Sequence, residues 1–252
     1  KHGIFMNDAD TENDLPAHKR WVLLSNWKDR TLMRNEVAFG LADVFQQTFP
    51  NDGLAWNPSG QFVELVYNGV HVGNYYLCEH IKIDGNRLDI TDPFDEKDGY
   101  SGTPEDYGYL LEADDGYDET WKFTTANYIP FLFKDDGNDE MQTYAAEVVR
   151  GIEEQLYAGN YSAAYEHLDI TSLVDYWLIQ EVMMNSEMKH PKSVYMYLNK
   201  GKLYAGPIWD FDWNTLPVSS SYAEEGYSYT ASMLAKAKPY HKRSGYPTAP
   251  ID

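Results

Sequence analysis

Asn68-Gly69 separates two runs of alternating apolar and polar residues, Phe62–Tyr67 and Val70–Glu79. Asn-Gly is the dipeptide that most readily sets two successive residues at positive φ. That is the geometry of a type I′ turn, whose twist matches the strands it joins. The spacing predicts an antiparallel β-hairpin and commits the first part of the chain to a sheet. Upstream, Leu32, Met33, Val37, Phe39, Leu41, Val44, Phe45 and Phe49 recur at helical intervals. This predicts a helix over Thr31–Phe49 with a broad buried face, packed near the hairpin. Asp29 or Thr31 is placed to cap it, and Pro50-Asn51-Asp52-Gly53 ends it.

Further along, Trp21–Ser25 reads as a short strand or buried turn and Tyr107–Glu112 as a strand. Trp121–Phe123 and Ile129–Phe133 read as short strands about a turn at Asn127, and Asp92–Asp106 as a surface loop. Met141, Tyr144, Ala145, Val148, Val149, Ile152 and Leu156 fall on one side of a helix over Asp139–Leu156. A second apolar helix is predicted over Thr171–Met184, opened by Asp169 or Thr171. After a polar loop come a strand, a turn at Lys200-Gly201, a second strand and Trp209-Asp210-Phe211-Asp212-Trp213. From Leu216 onward periodicity is low. Strands and helices are segregated and do not alternate as βαβ units, so the fold class is α+β. The whole chain, 1–252, reads as a single domain with lobe-like halves of roughly 1–112 and 113–252.

The chain carries 40 acidic and 20 basic residues, a net charge of −20. A nucleic-acid surface or a site for anionic lipid needs clustered Lys and Arg, so neither partner is expected. Cys78 is the only cysteine, which excludes an intrachain disulfide and a Cys-based zinc site; in an alternating strand it reads as a small core residue. No apolar run is long enough to span a bilayer. Tyr, Trp and Phe make up 15% of the chain, which suits core filling first and stacking on sugars second. The Asp-rich stretches 114–118 and 135–139 lack the spacing of a calcium loop and read as turns.

The chemistry concentrates at Asp210 and Asp212. A carboxylate at the end of an apolar run costs desolvation unless a cation or hydrogen-bond donors meet it. The alternative is a pair of capping or turn aspartates. If the segment is extended, residues two apart share one face, so both carboxylates reach one ion or two neighbouring ions, with Phe211 and the Trp residues packed away. Magnesium typically takes one or two carboxylates plus phosphate oxygens, which makes Asp210 the first candidate metal ligand and Asp212 the second.

Several blocks in order resemble one family. They are Trp21-Val22-Leu23-Leu24-Ser25-Asn26 with Asp29 and Arg34-Asn35, then Gly73-Asn74-Tyr75-Tyr76-Leu77-Cys78-Glu79-His80-Ile81 and Asn86-Arg87-Leu88-Asp89-Ile90. Gly108-Tyr109-Leu110-Leu111-Glu112 and Gly206-Pro207-Ile208-Trp209-Asp210-Phe211-Asp212 complete the set. Together, over roughly residues 20–215, they resemble the spore coat protein H (CotH) kinase family. The resemblance implies an atypical protein-kinase-like fold, β-rich in its N-terminal part and helical in its C-terminal part. It implies binding of ATP with magnesium, phosphorylation of secreted or surface proteins, and an extracytoplasmic or bacterial cell-surface setting. It assigns catalysis to Asp210 and to a carboxylate in the loop after the Thr171–Met184 helix, where Glu187 stands in place of the usual Asp. Five residues on, where the family usually has Asn, this chain has Lys192, followed by Ser193. Lys192 would oppose a second magnesium, so phosphotransfer is expected to be impaired, a pseudokinase pattern. His190 in the same loop reads as a surface residue before a functional one.

Arg34, Lys82 and Arg87 are candidate phosphate contacts, with Glu79 and Glu112 as partners for such a base, completing the cofactor-binding set. No glycine-rich phosphate loop is present. The family's Lys-bearing N-terminal segment has no counterpart either, so the domain is expected to be truncated at both ends. A reading from another class is a non-catalytic extracellular scaffold contacting glycans or partner proteins.

Overall fold

The computed structural model describes residues 15–50, 52–94, 102–114, 116, 118–185, 191–213 and 215–216. Strand β1 (Trp21–Leu24) precedes helix α1 (Arg34–Thr48), and the hairpin strands β2 (Gly60–Tyr67) and β3 (Val70–Glu79) follow. The turn is as the sequence predicts, with Asn68 at φ 50° and Gly69 at φ 78°. β3 lies between β1 and β2 in a three-stranded antiparallel sheet. Its register slips between Leu65 and Val66, opposite Gly73, whose φ of 147° favours glycine.

The second sheet has five strands. They are β4 (Gly108–Ala113), β5 (Lys122–Thr124), β6 (Pro130–Phe133), β7 (Val194–Asn199) and β8 (Lys202–Ala205), in the order β5-β6-β4-β7-β8. Every pairing between these strands is antiparallel, as the α+β reading expects. β4 crosses the point at which the sequence suggested two halves, and it joins β6 to β7. Strands are therefore not confined to the first part of the chain. The β7–β8 turn sits at Lys200 (φ 49°) and Gly201 (φ 75°), a second type I′ hairpin.

Alternation along β4 divides the core. Tyr109, Leu111 and Ala113 face helix α2 (Asp139–Tyr157), whose Met141, Ala145, Val149 and Ile152 complete one buried cluster. Leu110 faces the other way, onto Ile81, Ile83, Leu88 and Tyr197, and the period of two puts Glu112 on that same face. Asn138 caps α2 by accepting from the Met141 N–H. A short helix α3 (Tyr161–Glu166), for which the sequence gave no clear period, leads into α4 (Ile170–Val182), capped by Asp169. The third cluster packs α1 on α4 and β3, through Ala38, Phe39, Ala42, Tyr76, Cys78, Tyr176 and Ile179. Cys78 is fully buried, and burial pushes its thiol up to about 12, in keeping with a core role. No helix among the described residues is long and apolar enough to cross a membrane.

Candidate functional site

Strand β8 ends at Ala205, and the chain then runs without regular structure through Gly206–Trp213. Ile208 and Phe211 are fully buried in the cluster of α1 and α4, and Trp209 stacks on Phe39 with ring centroids 6.0 Å apart. Phe211 thus anchors the segment, with Asp210 and Asp212 half-buried on either side of it. The expected extended segment is not what brings the carboxylates together. Asp210 lies at φ 63°, a left-handed conformation that Asp tolerates better than most residues. The turn it makes swings the two side chains into hydrogen-bond contact with each other.

The early sequence block holds this turn in place. Asn35, buried in the first turn of α1, accepts from the Phe211 N–H at 2.7 Å and donates to Asn26 Oδ1 at 2.8 Å. Asn26 in turn donates to the Leu32 carbonyl at 2.9 Å. Asp29 accepts from the N–H groups of Thr31 and Arg34 and from the Thr31 hydroxyl. Burial raises its pKa, but the Arg34 and Thr31 donors together outweigh that and hold it below the usual aspartate value. Asp29 so caps α1 from five residues away, the role foreseen for it, while Met33 at the N-cap position makes no side-chain cap. Arg34, expected at a phosphate, directs its guanidinium to the carbonyls of Asp212 (3.3 Å) and Leu216 (3.4 Å).

Two acids in contact in a partly dry niche resist full ionisation. Burial first, and the adjoining Asp210 second, push Asp212 up to about 6, although the Lys28 N–H donates to it. Ser193 Oγ donates to Asp210 Oδ2 at 3.1 Å from a residue that is itself at φ 54°. Next to it, the Lys192 ammonium lies 3.2 Å from Asp114 Oδ1. Across β4 and β7, Glu112 pairs with Tyr195 in register. Burial, and after it the charges of Glu112, Asp114, Asp210 and Glu119, push the Tyr195 phenol upward. Those acids therefore surround one side of Tyr195.

Glu112 is buried, and Lys134 Nζ reaches its Oε2 at 2.8 Å and Glu119 Oε1 at 3.0 Å. Burial works against the Lys134 ammonium, but the carboxylates of Glu112 and Glu119 hold its pKa above that of an ordinary lysine. Lys134 and Glu112 thus stand beside Tyr195 on neighbouring strands, and Ser193, just before β7, reaches the acid pair.

The remaining candidates lie on the first sheet and the loop after it. Arg87 and Glu79 face each other at 3.8 Å in the interior, as an ion pair without a hydrogen bond. Burial pushes the Glu79 carboxyl above its usual value. Arg87 donates to the His80 and Arg20 carbonyls and lies over the Trp21 ring. Lys82 is half-exposed, with Nζ 3.3 Å from Asp135 Oδ1. Glu187 and His190 lie outside the described residues. The Asp-rich stretches supply turn contacts: Asp114 Oδ1 accepts from the Gly116 N–H, and Asp136 Oδ1 from the Gly137 N–H. Asp115 and Tyr117 are outside the described residues.

Sequence reasoning passed over Lys134, Ser193 and Asn35 as site residues. Lys134 had one signal, a charge placed directly after the apolar run Pro130–Phe133. Ser193 had none, because only the positive φ at both ends brings it to Asp210.

The donor set fits magnesium. Burial and the neighbouring Asp210 charge both work against the Asp212 carboxylate, and a cation between the two side chains would relieve it. Among the described residues no third His, Cys, Asp or Glu joins the pair to form an all-protein cage. One or two carboxylates with phosphate oxygens is the usual complement for magnesium, unlike the six to eight oxygens of calcium.

Antiparallel sheets bracketed by helices, with an acid pair on a clamped turn after a hairpin, define a mixed α/β domain. A family described as CotH kinase protein matches residues 5–238, and the chain belongs to that family. No curated protein sequence matches it.

Proposed function

We propose that this chain is the kinase-like, nucleotide-binding domain of a CotH family protein. In this reading it binds ATP with magnesium and transfers phosphate slowly to hydroxyls of secreted or surface proteins, in an extracytoplasmic bacterial setting. The observation that carries the proposal is the contact between Asp210 and Asp212 on a turn fixed by Asn35, Arg34 and the Lys28 N–H. Magnesium, when bound, would neutralise phosphate charge. Asp210 and Asp212 would hold it, with Ser193 orienting Asp210. Lys134, kept charged by Glu112 and Glu119, would meet a phosphate oxygen.

Arg34, Arg87 and Glu79 support the reading as framework: their polar atoms are spent on backbone groups and on each other. Slow transfer follows from the loop before β7. Lys192 stands where the resemblance implies a neutral metal-binding Asn, and its ammonium is one residue from the Ser193–Asp210 bond. A longer Glu187 side chain in place of Asp would displace the orienting carboxylate by about 1 Å, worth on the order of 100-fold in rate.

A thermal-unfolding titration tests the proposal. Stabilisation by ATP with magnesium, rising with ligand concentration, is the expected result. Stabilisation by calcium alone or by oligosaccharide, with no response to ATP and magnesium, would replace it with the binding-module reading.

A further inference from the structure

The chain is strongly acidic, yet one cavity is lined by Lys19, Arg20 and Lys82 with Asp84 as its one acid. A hollow of about 460 Å³ is lined by Ala17, His18, Lys19, Arg20, Lys82, Asp84 and Asn86. Three of these seven residues are Lys or Arg and one is acidic, whereas the whole chain has 40 acidic residues to 20 Lys and Arg. The volume lies within the range of small-ligand sites, roughly 300–1,000 Å³. Asp210 and Asp212 are not among the lining residues.

The walls are built in place. Arg87, buried beneath, donates to the Arg20 carbonyl at 3.0 Å, and Trp21 Nε1 donates to the His18 carbonyl at 3.0 Å. Together they pin the 18–20 segment to the sheet. Across the cavity, the Asn86 N–H donates to Asp84 Oδ1 at 2.9 Å, and Asp84 Oδ2 is 3.5 Å from His18 Nε2. Lys82 leans on Asp135. Lys19 and Arg20 are both exposed, and Arg20 feels the charge of Asp135, as Lys82 does. Lys19, Arg20 and Lys82 thus set three cations around one hollow against the carboxylates of Asp84 and Asp135, and their donors are available to an oxyanion.

We infer that this cavity is an anion site, distinct from the acid pair, that takes a phosphate monoester or polyphosphate group without a metal. Arg20 is the principal contact, with its planar guanidinium matching two phosphate oxygens, and Lys82 turns from Asp135 toward the ligand as the second. The phosphate has two possible sources, a nucleotide or a phosphorylated side chain of a protein. The chemistry that recognises it is the same.

Calorimetry on the full chain in EDTA, with inorganic phosphate, a phosphoserine peptide and ATP as separate probes, tests the site. At least one probe should bind, with affinity that falls as salt rises. Arg20→Ser with Lys82→Gln should weaken that binding about tenfold or more, equal to about 1.4 kcal/mol, while Lys82→Arg retains it. Arg20 is on the surface, so Arg20→Ser alone keeps the test valid if the double variant unfolds. Preference for ATP over the peptide would identify a nucleotide ligand, and the reverse a phosphoprotein; either supports the site. No binding by any probe, or equal binding by the double variant, would overturn it. The magnesium-dependent reading of Asp210 and Asp212 stands or falls separately, because EDTA removes that site from the measurement.

Discussion

Asn35→Ala removes one side chain that serves two buried groups. The substitution leaves the Phe211 N–H and Asn26 Oδ1 without the partners they have at 2.7 and 2.8 Å. Asn35 is 2% exposed and Asn26 3%, so water cannot replace either bond without entering the core. Each unsatisfied buried group costs about 1–3 kcal/mol, giving about 2–6 kcal/mol against a total stability of about 5–15. In a domain of this size 1 kcal/mol corresponds to roughly 2–4 °C in Tm, so a fall from about 4 °C upward is expected. The Asp210 turn also loses its tether, so affinity for ATP with magnesium should drop about tenfold beyond any effect of unfolding. Urea melts and calorimetry well below Tm measure the two quantities. Met141→Ala in the α2 cluster is the control: it should cost about 2–5 kcal/mol and leave that affinity unchanged. Asn35→Ala within 0.5 kcal/mol of the parent would refute the hydrogen-bond accounting. Unchanged affinity would refute the clamp.

Other outcomes follow from single sites. Phe211→Ala should destabilise by about 3–5 kcal/mol, because the ring is fully buried between α1 and α4; equilibrium unfolding checks this. Burial raises the Asp169 pKa, but the Ser172 N–H, Lys202 and the Thr171 and Ser172 hydroxyls more than offset it and hold the carboxyl below 3.8. Its charge-dependent stabilisation is therefore fully present above the unfolded pKa and lost as pH falls through the depressed folded value. Urea midpoints taken from pH 7 towards about pH 3 should show the deficit of Asp169→Asn shrinking as acid is added. A deficit that stays constant would contradict the charge-based cap. Phosphotransfer to a Ser-rich protein should be weak in the parent, and Glu187→Asp should recover little of it. Robust activity that survives Glu187→Ala would place the catalytic carboxylate elsewhere.

Local chemistry made much of the fold readable. Asn68-Gly69 and Lys200-Gly201 specify their turns because few residues adopt φ > 0 twice in succession, and the apolar periods of α2 and α4 mark their buried faces. Asp169 is legible as a cap because the residue type and its position before an apolar run suffice. The sheet order is not readable in this way: β4 sits between β6 and β7 through contacts separated by some 20 and 85 residues, as in Leu111 with Phe133 and Met196. Asp210 and Asp212 stood out as costly acids at the end of an apolar run, but the geometry that joins them was not legible. The sequence left open whether the segment is extended; with Phe211 buried and tethered to Asn35, the chain turns at Asp210, which lies at φ 63°. Charge alone could not separate Arg34 and Arg87, which tie backbone segments together, from Lys134, which pairs with Glu112 and Glu119.

The central claim, that Asp210 and Asp212 hold the magnesium of a bound nucleotide, is tested most directly by titrating ATP into parent, Asp210→Asn and Asp212→Asn proteins, each with magnesium and with EDTA. The account predicts a magnesium-dependent gain in affinity for the parent that falls about tenfold or more in either variant, with far-UV circular dichroism unchanged. An equal magnesium-dependent gain in Asp210→Asn would contradict it.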